Sequence, residues 1–242
     1  MALQHSLLLP IGLVLFLLAV DAAVTMGLVS TMVAFLHSDG KGPFPFTPPN
    51  GSHLLILAGE PTNLVVNQGH TTNAAGGTAL ILVGFGGSIA LWLERRSRKK
   101  WDHSSPFFHL WSLLVLLSWL LTTGALIYTF VETSHTSGQS IDVAAVRDLA
   151  GSTTHYPYGR WTPENWYAAV LELPLQDATQ RRALRGEMTV MRGWRWNLVP
   201  MFVLGFGLLV LVVLEQVRVR RRGAQNVSMT EVLAEPFEKV SA

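Results

Sequence analysis

A chain of 242 residues with 49% apolar and only 14% charged side chains sits far below the ~25% charge of soluble domains, which argues against an ordinary water-soluble globule. The formal charge is only +2 and the basic residues are gathered into short blocks, so nothing in the composition points to a nucleic-acid partner. With no cysteine in the chain, disulfides, thiolate metal sites and thiol catalysis are excluded as well.

A hydrocarbon core about 30 Å thick needs roughly 20 mainly apolar residues per spanning helix. Four segments meet that need: 7–36, 74–93, 107–131 and 196–217. The expected fold is therefore an all-α membrane protein, a four-transmembrane-helix bundle over residues 1–222 with short amphipathic helices in its second outer loop. A cleaved signal peptide over 7–20 is the alternative for the first span. No basic residue precedes that run, however, and the apolar sequence resumes at once as "VTMGLVSTMVAFL".

Asp21 falls in the middle of the first span. An aspartate at mid-helix costs about 2.5–3.5 kcal/mol to insert and is a functional candidate by default. Three readings stay open: a protonated carboxyl bonded between helices, with Thr25, Ser118 or Thr122 within reach; a group that moves protons or cations; or a residue slid towards the headgroups. Small residues recur every four positions at Ala19, Ala23, Gly27 and Thr31, and again at Ala75 with Ala79 and Gly84 with Ser88. This spacing predicts close packing of spans one and two.

The first outer loop, 38–73, opens with "HSDGKGPFPFTPPNGS", where proline and glycine deny regular structure. Asn50 begins a sequon, which makes the protein a glycoprotein if this loop is lumenal. "HLLILAG" and "NLVVN" read as short strands or membrane-hugging segments. The connector 94–106 carries Arg95, Arg96, Arg98, Lys99 and Lys100, and Arg218, Arg220, Arg221 and Arg222 follow the last span. Positive residues beside short loops stay cytosolic, which places both termini and the connector there. Arg181, Arg182, Arg185, Arg192 and Arg195 pull the other way, from a loop near the length where charge ceases to weigh.

The second outer loop, 132–195, is the most punctuated. Asp142 caps one short helix. Thr162, with Pro163 at the first helical position and Glu164 beside it, caps another that Pro174 ends. Asp177 with Gln180 starts a third, with Leu184, Met188 and Met191 on one side and arginines largely on the other. Leading into Trp194 and Trp196, this pattern predicts an interfacial helix and a lid over the outer end of the bundle. The alternative is a docking surface of exposed Trp161, Trp166 and Tyr167. The tail, 223–242, is expected to be disordered, and its sequon at Asn226 unmodified.

Scattered histidines, and the lack of a phosphate loop, dinucleotide fingerprint or nucleophile elbow, predict no catalytic residue, cofactor or metal. The four-span plan resembles that of tetraspanins and claudins, but the loop cysteines of both are missing. The blocks "WTPENWYAAVLELPL" and "MRGWRWNLVP", within Trp161 to Pro200, resemble uncharacterised four-span integral membrane proteins of filamentous fungi. That resemblance implies a fungal origin and a shared unit of lid and last span, and brings no activity with it. The function expected is a non-enzymatic membrane organiser or accessory subunit in the plasma membrane or an endomembrane. Its partners would be the lipid bilayer and other membrane proteins or further copies of itself. The alternative is a small transporter or channel subunit using Asp21.

Overall fold

The computed structural model describes residues 6–49, 51, 53–101, 104–149 and 155–234. Among these are four helices long and apolar enough to cross a membrane: Leu8–His37 (α1), Asn67–Lys100, Pro106–His135 (α4) and Ala178–Arg222. The second is built from α2 (Asn67–Gly77), a π-helical stretch Thr78–Phe85, and α3 (Gly86–Trp101). The fourth belongs to α7, Ala178–Ala234. Four such helices suggest a multi-pass membrane protein.

The polarity of the bundle supports that class. On α4 the buried face carries Ser118, Thr122, Thr129 and Thr133, whereas Leu110, Leu113, Leu117 and Leu120 are exposed. A helix in water would bury the leucines and expose the hydroxyls. The exposed apolar surface continues over Leu9, Leu13 and Phe16 of α1 and Val203 and Phe206 of α7, far beyond the patches a soluble monomer shows.

Several expectations are corrected. The helix that holds the second apolar segment begins at Asn67, ahead of residue 74, because "NQGHTTN" is helical and buries Gln68 and Thr72. The Thr72 and Thr129 hydroxyls meet at 3.4 Å, which satisfies polar groups inside the bundle. The helix Ala178–Ala234 is unbroken through Pro200, so the third loop helix and the last span are one rod. That rod also takes in residues 223–234 of the tail expected to be disordered. Finally, the small-residue stripe of α1 packs only at Ala19, which meets Gly84 of the second long helix. Ile11, Leu15, Leu18, Ala22, Thr25, Val29 and Met32 are buried, while Ala23, Gly27 and Thr31 face outward. α1 packs on α7 and about as extensively on the second long helix, in line with the close contact expected between spans one and two.

Glycine matters where three helices converge. A Cβ at Gly87 would lie 2.7 Å from Trp111 and 2.8 Å from Leu15. Trp111 cannot retreat, because it is 1% exposed and its Nε1 donates to the Val83 carbonyl at 3.1 Å. Gly87→Ala is expected to cost about 1–3 kcal/mol by overpacking, measured as thermal unfolding in detergent. An unchanged midpoint would contradict this packing.

At one end of the bundle the two long loops form a lid. Strands β1 (Phe44–Phe46) and β2 (Leu55–Leu57) pair antiparallel, so the first segment offered as a short strand is one. The second supplies only a bridge from Leu64 to Trp161. The later loop holds α5 (Val143–Asp148) and α6 (Pro163–Glu172). Their caps follow from local sequence: Asp142 Oδ1 accepts from the Ala144 N–H at 2.8 Å, and Thr162 Oγ1 from Asn165 N–H at 3.3 Å. Backbone bridges Phe46–Leu175, Pro61–Tyr156 and Leu64–Trp161 stitch the two loops together.

Candidate functional site

The described polar groups gather at three levels. At the connector end, Glu94 of α3 is fully buried and Glu215 of α7 is 1% exposed. Arg98 lies one turn beyond Glu94, so its Nε donates to Glu94 Oε1 at 2.8 Å while its Nη1 donates to Glu215 Oε1. Glu94 also accepts from Ser104 Oγ and the Ser105 N–H, both at 2.7 Å. Glu215 accepts from the Leu7 N–H at 3.3 Å and pairs with Arg218 at 3.4 Å. Groups at the ends of all four long helices thus meet on two carboxylates bridged by the Arg98 guanidinium. Buried charge persists only when paired and hydrogen-bonded in this way.

At mid-bundle Asp21 is half-buried, and its Oδ2 is buried without a hydrogen-bond partner. Asn197 of α7 crosses to it: Nδ2 donates to Thr25 Oγ1 at 2.8 Å and to the Asp21 carbonyl at 3.1 Å. The partner across the interface is therefore Asn197. Of the hydroxyls expected within reach, Thr122 is engaged with the Ser118 carbonyl of its own helix. The neighbouring centre of the bundle, between Leu18, Val83, Val115 and Met201, is filled to a void of about 10 Å³.

At the lid end, Trp161, Trp166 and Tyr167 are 1%, 0% and 1% exposed. The exposed docking surface is thereby corrected: these rings are the core of the lid. Trp166 stands edge-on to Trp161 at 5.2 Å and tilted against Tyr156 at 5.6 Å. Its Nε1 donates to the Gly59 carbonyl at 2.6 Å, and the Tyr167 hydroxyl donates to the Gly40 carbonyl at 2.9 Å. Asn50 lies outside the described residues.

The lid is clamped to the bundle by α6. Glu164 pairs with Arg195 at 3.2 Å and Arg192 at 3.5 Å. Asn165 Nδ2 donates to the Thr133 carbonyl and Thr136 Oγ1 of the α4 end, both at 2.7 Å. Burial pushes the Glu164 carboxyl above its ordinary range, against the pull of the two arginines. The arginines of this stretch thus have structural work: Arg181 Nη2 donates to the Leu173 carbonyl at 2.8 Å, closing the end of α6. The apolar stripe Leu184, Met188, Met191 and Trp194 is buried in the common core, which corrects the interfacial helix expected from the sequence.

Burial, reinforced by Glu60, pushes the Tyr167 hydroxyl well above its ordinary value of 10.0. A folded pKa above the unfolded one means its contribution is intact below about pH 10 and is lost as pH rises towards the folded value. Tyr167→Phe is expected to lower stability by about 1 kcal/mol at neutral pH and to flatten the decline above pH 10. A parallel alkaline decline in both proteins would contradict this.

Four helices long and apolar enough to cross a membrane, under a folded cap, suggest a helical multi-pass membrane protein. No family model, curated protein or solved structure matches the chain.

Proposed function

We propose that this protein is a non-catalytic membrane organiser or accessory subunit, a bundle holding a rigid lid on the outer side and a basic rim on the cytosolic side. The observation that carries this is consolidation. Between Leu18, Val83, Val115 and Met201 the packing leaves a void of only about 10 Å³, the lid has its own aromatic core, and both ends are cross-tied by buried or half-buried charge. Such a body suits holding neighbours in register. The arginine and lysine blocks at 95–100 and 218–222 support cytosolic termini. A glycan at Asn50 with none at Asn226 is the expected pattern, and a glycan at Asn226 alone would reverse the orientation.

One observation favours a second function, transport: the unpartnered Oδ2 of Asp21 at mid-span. Vesicles carrying the purified protein separate the two. The organiser predicts proton and cation leak equal to that of empty vesicles. It also predicts that Asp21→Asn, which removes the ionisable group, and Asp21→Leu, which removes the unsatisfied buried oxygen as well, fold with stability unchanged or raised. A flux present in wild type and lost in both folded variants would overturn the proposal in favour of transport.

A further inference from the structure

A groove of about 580 Å³ opens between α1 and the second span at the connector end of the bundle. Its floor is made of small residues, Gly12, Ala19, Ala23, Gly84 and Ser88, and its walls include Phe16, Phe85 and Trp92. The π-helical stretch contributes Leu80, Gly84 and Phe85, and such widened turns gather at functional places. Along α1 the groove runs from Gly12 to Ala23, which is about 16 Å of helix. That is close to half of the ~30 Å hydrocarbon core, the depth of one leaflet.

At its mouth stands Arg95, the charged residue of the lining. It is exposed, and no ion pair joins it to another described residue. Arg98, three positions on, is held by Glu94 and Glu215, and Arg96 lies over the Trp92 ring at 5.7 Å. One cation is thus left at the headgroup end of an apolar channel one leaflet deep.

We propose that this groove is a binding site for an anionic glycerophospholipid, with an acyl chain along the small-residue floor and the phosphate on Arg95. The inference rests on the membrane-spanning reading and gives it a specific ligand. Basic groups between spans recognise acidic headgroups in this way.

The test is native mass spectrometry of the full chain in detergent, with phosphatidylglycerol and phosphatidylcholine of identical acyl chains in competition. The expected preference for phosphatidylglycerol is about fivefold, the contribution of one cation near a headgroup. Arg95→Gln should abolish that preference, Arg96→Gln should leave it, and Ser88→Phe, which fills the channel, should release both lipids. Equal retention of the two lipids by wild type, an equal loss in the Arg96 variant, or displacement by inorganic phosphate alone would each overturn the site. A chain that stays in solution without detergent sinks the membrane reading itself, whereas a detergent-dependent chain lacking headgroup preference sinks only the groove.

Discussion

Arg98→Met is expected to lower the unfolding free energy by about 3–5 kcal/mol, the cost of breaking a buried pair from one side. The Arg98 side chain is 21% exposed and its guanidinium touches the carboxylates of two side chains that are 0% and 1% exposed. Without it, Glu94 keeps Ser104 and Ser105 as donors, and Glu215 keeps Leu7 and Arg218. What is lost is the cation that joins α3 to α7. Two carboxylates desolvated together with less compensation are worse than one. The neutral triple variant Glu94→Gln, Arg98→Met, Glu215→Gln separates charge from packing. It should regain most of the loss, because replacing a whole buried ion network is often nearly neutral. Unfolding in detergent by heat or denaturant reads both. A loss below about 1 kcal/mol in the single variant would place the cluster among surface ion pairs of little consequence.

Trp166→Ala acts at the opposite end and should cost about 3–5 kcal/mol, as deletion of a buried aromatic does. The ring is fully buried, two aromatic neighbours lean on it, and the Gly59 carbonyl depends on its Nε1 for a donor. The damage should be local. Limited proteolysis is expected to cut within 136–177 while the four long helices stay resistant, because α1 and α4 each pack on α7 without help from that ring. Trp166→Phe retains most of the apolar volume but strands the carbonyl, and should fall between, at about 1–3 kcal/mol. Equal proteolysis of wild type and Trp166→Ala would show that the lid core is held by something else.

Features that depend on neighbouring residues were legible in the sequence. Thr162 ahead of Pro163 and Asp142 ahead of Val143 mark helix starts whichever way the chain folds. Four apolar runs mark four long helices because length and hydropathy are local properties. Tertiary features were not legible. A tryptophan at the start of a capped helix reads alike whether it faces solvent or a lid core, and only pairing with the first loop buries Trp161 and Trp166. The α1 stripe misled for a similar reason. Small residues every four positions fit a helix contact, and Ala19 does meet Gly84, but the rest of the stripe, Ala23, Gly27 and Thr31, faces outward. The connector-end cluster was missed although a signal was present. In "LERRSRKK" and "LEQVRVRRR" an acid closes each apolar run just before the basic block. That the two acids share Arg98 follows from helices 121 positions apart in sequence, Glu94 to Glu215, lying side by side.

The absence of cysteine makes the central claim, lid and connector on opposite faces of a bilayer, directly measurable. Single cysteines replace exposed Tyr158 in the lid and exposed Lys99 at the connector end, and intact cells are treated with a membrane-impermeant maleimide. Position 99 is expected to label once the plasma membrane alone is permeabilised, and position 158 only from the opposite side of the membrane that holds the protein. Labelling of both positions from the same side would contradict the four-span bundle.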